Sequence, residues 1–491
     1  MVSRFVRMAA LALFLALGFT QGAMAQTAEA VVAESARAMG IEGLNSIRIY
    51  GSGANFTVGQ NNNAEGPWPR TNLNDFTRWI DFTQPATRAT ATTWAVPVQG
   101  GAAAAGPFNQ YAGPSSPWGQ NLEIWTTPWG FLKGAQANGA SVETRQIEGV
   151  EFRVVTWSPP QKSPGGQSYR VVGYIGPDSL VHGVETWVDT PIFGDMRVET
   201  AFENYRDLNG LKFPTSITQK RGGFPTFEAQ LLGVQANPAD IAERAVAPPP
   251  FVPPAPPPAV AGAAPAPPPP ASELLAPGVW RIRGAYNALA VEFADYVVLF
   301  EPGPQNEARA QAIIAETKRV IPNKPIRYGV ISHHHADHTG GLAAVVAEGI
   351  TIVTPQVNAR FLQNALSAPR TLAPDAIPAS GRQPVVEGFM GDKRVFQDAT
   401  RTFEIHVIKG LPHADGLVVG YLPAERILVY ADMFNLPPAA NPVPSPPVVG
   451  TGVFLANIER LGLQPDRIMS IHSLNPDRLT SVADIRASLG R

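Results

Sequence analysis

At 491 residues the chain is long enough for two to four domains with substantial cores, and its net charge of −2, without basic runs, argues against nucleic acid as a partner. It contains no cysteine, which excludes disulfides, thiolate metal ligands and cysteine nucleophiles and suits an oxidising compartment. Charged residues make up only 16% and prolines number 49, so part of the chain is proline-rich and unsuited to packing.

Residues 1–25 read as a cleavable secretory signal: Arg4 and Arg7 form a basic start, Ala9 to Phe19 an apolar run, and Ala23-Met24-Ala25 a small-x-small cleavage site. The apolar run is short for a bilayer span, and no other segment is long and apolar enough. Cleavage removes two arginines and no acid, taking the net charge from −2 to −4. The expected product is periplasmic or secreted, with no membrane span.

A short helix is expected over Thr27 to Met39, stopped by Gly40. Within residues 26–245, alternating stretches such as Glu151 to Trp157, Tyr169 to Tyr174 and Met196 to Phe202 predict a mainly antiparallel β domain, with turn pairs such as Asn209-Gly210 between strands. Its tryptophans (Trp79, Trp94, Trp125, Trp129, Trp157, Trp187) are expected to be core, or else to line a groove for an apolar ligand. His182 reads as a surface residue. Residues 246–273 are a Pro/Ala-rich linker, expected to be extended polyproline II and to keep the flanking domains mechanically separate.

From residue 274 to 491 strands and helices mix. Val279 to Ile282, Ala288 to Phe293 and Tyr296 to Phe300 read as strands, Asn306 to Val320 as a helix, Thr351 to Thr354 as a strand and Gln356 to Leu366 as a helix. Further strands are expected over Arg394 to Gln397, Thr402 to Ile408, Gly416 to Tyr421 and Arg426 to Tyr430. This order predicts sheets covered by helices. After the apolar run Ile326 to Ile331 comes Ser332-His333-His334-His335-Ala336-Asp337-His338-Thr339-Gly340-Gly341. In extended chain alternate residues share a side, so His333, His335 and Asp337 can converge, with His338 turning in from the other side. Neutral imidazoles and carboxylates are ligands for zinc and similar ions. A buried histidine cluster without a cation would leave ring nitrogens short of partners.

His-x-His-x-Asp-His after a strand, followed by a glycine-led helix, resembles the signature of the metallo-β-lactamase superfamily. His413 in Gly410 to Gly416, Asp432 after Ile427 to Ala431, and His472 after Ile468 to Ile471 fall in the order that superfamily shows. The resemblance implies an αββα sandwich for residues 274–491, with the metal site at one edge between the sheets. More faintly, the run from Glu185 through Tyr205, Phe213-Pro214 and Gln235 to Asn237 resembles lipoprotein-carrier β half-barrels.

Carried over by position, the resemblance implies that His333, His335 and His413 hold one zinc ion. It gives Asp337, His338 and His472 to a second, with Asp432 bridging and iron or manganese as alternative metals. Asp337 would also orient a metal-bridging hydroxide that attacks an ester, thioester or lactone-type substrate. His334 would then point away, and His406 would serve as an outer-shell or packing residue. Asp415 would orient a ligand or simply brace its turn. Class B β-lactamases usually carry cysteine or serine where Asp432 stands, whereas glyoxalase II-like thioesterases, lactonases and phosphodiesterases carry aspartate. Glu301 replaces a common aspartate, and Ser473 a common glycine. Other readings are a class B-type β-lactamase, a mononuclear iron persulfide-dioxygenase-like enzyme, and an apolar-ligand-binding protein with an ancillary metal domain. Loops Ser367 to Arg382 and Leu436 to Thr451 are expected to rim the site.

Overall fold

The computed structural model describes residues 26–95, 106–248, 271–445 and 448–491. The expected signal segment and residues 249–270 of the expected linker lie outside them.

Alternation of apolar and polar residues in the amino-terminal half produces one antiparallel sheet of 11 strands. Its central strand, Ser46–Phe56, pairs with Arg70–Asp81 on one side and Phe224–Ala236 on the other. Helix Ala28–Met39 begins where the Thr27 hydroxyl accepts from Ala30 N–H, and ends at Gly40 in the left-handed region (φ 68°). Two further helices, Trp118–Trp125 and Pro128–Ala137, carry the chain between the two edge strands, Gly106–Ala112 and Ser141–Ile147. All three helices bury apolar residues, among them Val31, Met39, Trp118, Leu122 and Phe131, against Ile47, Phe76, Val155 and Val198 of the sheet. Trp129 and Trp157 belong to that core and Trp125 packs against it. Trp187 packs against it too, under the Arg170 guanidinium, whereas Trp79 lies beside the Arg48 guanidinium and Trp94 is 61% exposed. The six tryptophans therefore do not form one groove. His182 is partly exposed and pairs with Asp178.

The carboxy-terminal half has four layers. A sheet of 7 strands and a sheet of 5 face each other across a core that includes Val298, Phe300, Val330, Phe403, Val429 and Met469. The strand Val297–Phe300 shows how sequence builds this arrangement. Val297 and Leu299 point to the outer helices Glu307–Val320, Leu342–Glu348 and Gln356–Leu366, while Val298 and Phe300 point to the other sheet. In the second sheet Ile427 and Val429 face inward, and Leu428 and Tyr430 face helices Val449–Arg460 and Val482–Ser488. The fold is the expected αββα sandwich beside a mainly antiparallel β domain. Strand Ser272–Ala276 already pairs with Val279–Ile282, so the sheet takes in the last residues assigned to the linker. Helix Val449–Arg460 likewise starts inside the expected rim loop Leu436 to Thr451.

The two halves are not mechanically separate, contrary to the expectation from the proline-rich stretch. Leu372 is part of the amino-terminal core, and Ile192 is part of the carboxy-terminal one. Phe193 makes edge contacts with Trp68 at 5.7 Å and with Phe361 at 5.8 Å. The Asp195 carboxylate accepts from Thr371 N–H at 2.9 Å, the Thr371 hydroxyl at 2.7 Å and Leu372 N–H at 3.1 Å. The expected rim loop Ser367 to Arg382 is thus an interdomain clasp, because its apolar tip finds a core to enter. Replacing Asp195 by Ala leaves two backbone N–H groups unpaired. It should lower unfolding free energy by about 1–3 kcal/mol in a urea titration, and limited proteolysis should then cut within residues 367–382.

Candidate metal centre

The strand topology sets the position of the site. Val297–Phe300 and Ile326–Val330 are parallel neighbours in one sheet, and Ile427–Tyr430 and Arg467–Ser470 are parallel neighbours in the other. Just past their carboxyl ends stand Glu301, His333, Asp432 and His472, where open α/β sheets place ligands. Val418 N–H donates to Ser332 O at 2.8 Å and ties the histidine loop to the second sheet. His413 lies in the loop leading into that strand, Val418–Leu422.

The seven residues expected as ligands converge. His333, His335 and His413 form one group of candidate ligand atoms, Asp337, His338 and His472 a second, and His333, His338 and Asp432 a third that joins them. The Asp432 Oδ1 lies 2.6 Å from His472 Nε2, and its Oδ2 lies 2.9 Å from His338 Nε2, 3.2 Å from His333 Nε2 and 3.5 Å from His413 Nε2. Asp432 reaches this position in the left-handed region (φ 57°), which aspartate tolerates better than most residues. His334 lies outside these groups, as its alternation implied. His406, buried on strand Thr402–Val407, pairs with Glu404 and touches none of the seven, so its role is packing.

Burial favours the neutral imidazole at His333, His334 and His335. Burial, reinforced by neighbouring histidines, holds His333 well below the usual range and brings His335 down to about 3. Burial likewise brings His334 down to about 4. Burial opposes the charged form of His338 as well, but the carboxylates of Asp432 and Glu301 outweigh it and raise that ring well above its ordinary value. Asp337 is held below the usual carboxylate range: burial works against this, and His338, Gln60 and Tyr286 overcome it. Among the described residues no lysine or arginine pairs with Asp337, Asp432 or Glu301, so the His338 ring is the group within reach that can offset these carboxylates.

The donor set fits a resident metal. His335 Nδ1 is buried without a hydrogen-bond partner among the described residues, and Asp432 Oδ2 has three imidazole nitrogens within 3.5 Å. Nitrogens that would repel as bare lone pairs face each other, His413 Nε2 with His333 Nε2 at 3.3 Å and His472 Nε2 with His338 Nε2 at 3.3 Å. Two nitrogens on one tetrahedral zinc, each about 2.0–2.1 Å away, lie about 3.3 Å apart.

Outer-shell groups orient the rings. Glu301, fully buried, accepts from His338 Nδ1 at 2.7 Å and from Ser332 N–H at 3.2 Å, leaving His338 Nε2 to face the site. The Tyr286 hydroxyl donates to Asp337 Oδ2 at 2.8 Å, and its ring lies 4.3 Å from that of His472. Burial and Asp337 raise the Tyr286 phenol, so it stays a donor at neutral pH. Residues of the amino-terminal domain also reach the site. Gln60 donates to Asp337 Oδ1 at 2.7 Å, and Asn61 O accepts from His334 Nε2 at 2.7 Å and His335 Nε2 at 3.0 Å. Asp415 N–H donates to Asn62 O at 2.7 Å, so Asp415 braces the loop of His413 against the other domain. Tyr286, Gln60 and Asn61 carry no motif, and nothing in the sequence pointed to them. Glu301 stood out only as a departure from the family pattern.

A model of the metallo-beta-lactamase superfamily matches residues 281–484. That part of the chain belongs to the metallo-beta-lactamase superfamily. The 2,4-dinitroanisole O-demethylase subunit alpha of Nocardioides sp. (strain JS1661) is 26% identical over 171 residues, which is 34% of this chain. The match spans about half of that relative, 47% of its length. Solved metallo-beta-lactamases from Pontibacter korlensis (17% identity, TM-score 0.32) and Hirschia baltica (18% identity, TM-score 0.32) each align with 45% of this chain, covering 96% and 95% of their own. The superfamily domain thus carries candidate metal-binding groups made of histidine and aspartate.

Removing the Glu301 carboxylate frees the His338 ring to turn. Glu301→Ala should weaken metal binding by about 10–100-fold in a chelator competition, with Glu301→Gln losing less because its side-chain carbonyl still accepts.

Proposed function

We propose that this protein is an exported, dinuclear zinc hydrolase of an ester, thioester or lactone. The observation that carries the reading is Asp432, whose two carboxylate oxygens lie between the two histidine groups. A carboxylate there gives two cations a shared anionic ligand, which supports two ions over the one iron of a dioxygenase-like site. It also stands where class B β-lactamases usually carry cysteine or serine. Zinc in such a pair brings the pKa of a coordinated water toward 7 and polarises a carbonyl.

The chain's own residues then position, accept and donate. Asp337 stays unprotonated at neutral pH and is held at both oxygens, so it accepts a hydrogen bond from a nucleophile and orients it. Tyr286 stays protonated beside it and keeps that carboxylate aimed. Asp337, His413 and His472 have side chains 34%, 22% and 30% exposed, whereas His333 and His338 are at 0%. Substrate therefore approaches over the first three. Residues 1–25 and the lack of cysteine support export. The amino-terminal sheet is offered as an ancillary domain, with apolar-ligand carriage as its alternative role.

Elemental analysis of purified protein should find two zinc ions per chain. His335→Ala and Asp432→Ala should each lower turnover by more than the about 10–100-fold typical of losing an outer-shell partner. Esters, thioesters, lactones, a phosphodiester and a β-lactam form the substrate panel. An aryl methyl ether joins them because of the activity named for the Nocardioides relative. Full activity in chelator-stripped protein would sink the reading.

A further inference from the structure

The turn that joins strands Ser46–Phe56 and Arg70–Asp81 runs along the histidine loop almost residue by residue. Gly59 O accepts from Ala336 N–H at 2.9 Å and Asn62 O accepts from Asp415 N–H at 2.7 Å. Between them Gln60 holds Asp337 at 2.7 Å, and Asn61 O takes the Nε2 protons of His334 and His335 at 2.7 and 3.0 Å. A carbonyl only accepts, so both rings carry their proton on Nε2 and leave Nδ1 bare. In His335 that bare, buried Nδ1 is the atom left for an ion.

Two features shape the turn for this contact. Gly59 sits at φ +78°, and a Cβ there would lie 2.7 Å from the Ala336 Cβ, so only glycine allows the approach. Asn61, 1% exposed, donates from Nδ2 to Asn63 O at 2.5 Å and Gly66 O at 3.2 Å, which curls the turn and presents its carbonyl.

We propose that the amino-terminal β domain is a positioning element of the metal centre. Its Gly59–Asn62 turn selects the His335 tautomer that offers Nδ1, and it aims Asp337. The inference rests on the metal-centre reading above. It makes the β domain part of the enzyme rather than cargo attached to it. Gln60 and Asn61 are positioning residues, acting through Asp337 and His335.

The test uses the full chain with zinc as the probe. Chelator competition measures affinity, selective ¹⁵N-histidine labelling follows the His335 Nε2–H, and circular dichroism checks folding. Gly59→Ala should weaken zinc binding about 10–100-fold and expose the Nε2 proton to solvent exchange. Gln60→Ala, a substitution on a partly exposed turn, should weaken it about 10-fold and leave the His335 proton protected. Folded Gly59→Ala with unchanged affinity and a protected proton overturns the proposal. If Gly59→Ala does not fold, unchanged affinity in Gln60→Ala overturns it instead. His335→Ala separates the two readings. Loss of zinc there with none in the turn variants sinks the positioning role alone, whereas unchanged zinc affinity in His335→Ala sinks the metal centre and this inference with it.

Discussion

Two pairs of parallel strands, one pair in each sheet, end at the same edge of the sandwich and deliver imidazoles and carboxylates into a buried space. His333 and His338 are fully buried, and Asp432 and Asp337 press against them. Taking such groups out of water is costly unless opposite charge and hydrogen bonds compensate. Without a cation the group at hand is the His338 ring, which stands between the Asp432 and Glu301 carboxylates and is raised well above its ordinary value by them. A metal pair would meet the same demand at more of the donor atoms, including the bare His335 Nδ1. The rest of the site follows from that charge balance.

Hydrogen bonds behind the ligands decide what each ring can do. Glu301 turns His338 so that Nε2 faces inward, while Asn61 O turns His335 so that Nδ1 does. The two histidines therefore present opposite nitrogens from neighbouring positions in one short loop. One of the orienting groups comes from the same domain and the other from the β domain. The metal centre is consequently built on both sides of the domain boundary, and the Asp195–Thr371 and Leu372 contacts hold that boundary closed. An interface of this kind gives the long antiparallel sheet a mechanical reason to sit where it does.

Not every expectation survived contact with the fold. The proline-rich stretch suggested two bodies free of each other, because composition reports the stiffness of a tether and nothing about what its ends touch. The loop Ser367 to Arg382 read as a substrate rim because loops over this edge set specificity in the family. Leu372 is drawn instead into the apolar core of the β domain, and the loop follows it. Loop Leu436 to Thr451 was cut short because Phe454, Leu455 and Ile458 of the helix that begins at Val449 bury in one cluster with Tyr430 and Ile468.

The sequence alone determined the residue types of the candidate ligands, their order and the presence of sheets covered by helices, and its family resemblance implied the four-layer sandwich. Local periodicity and the spacing of His333, His335, Asp337 and His338 are properties of neighbouring residues, and His413, Asp432 and His472 each follow or precede a strand legible from its apolar run. Only the tertiary structure decided which nitrogen each histidine offers and that Tyr286, Gln60 and Asn61 hold the site together. Gln60 is 277 residues from Asp337, and Asn61 acts through a backbone carbonyl that every residue possesses. A hydrogen bond made by an atom common to all residues, across that separation, leaves no mark in the sequence until the chain has folded.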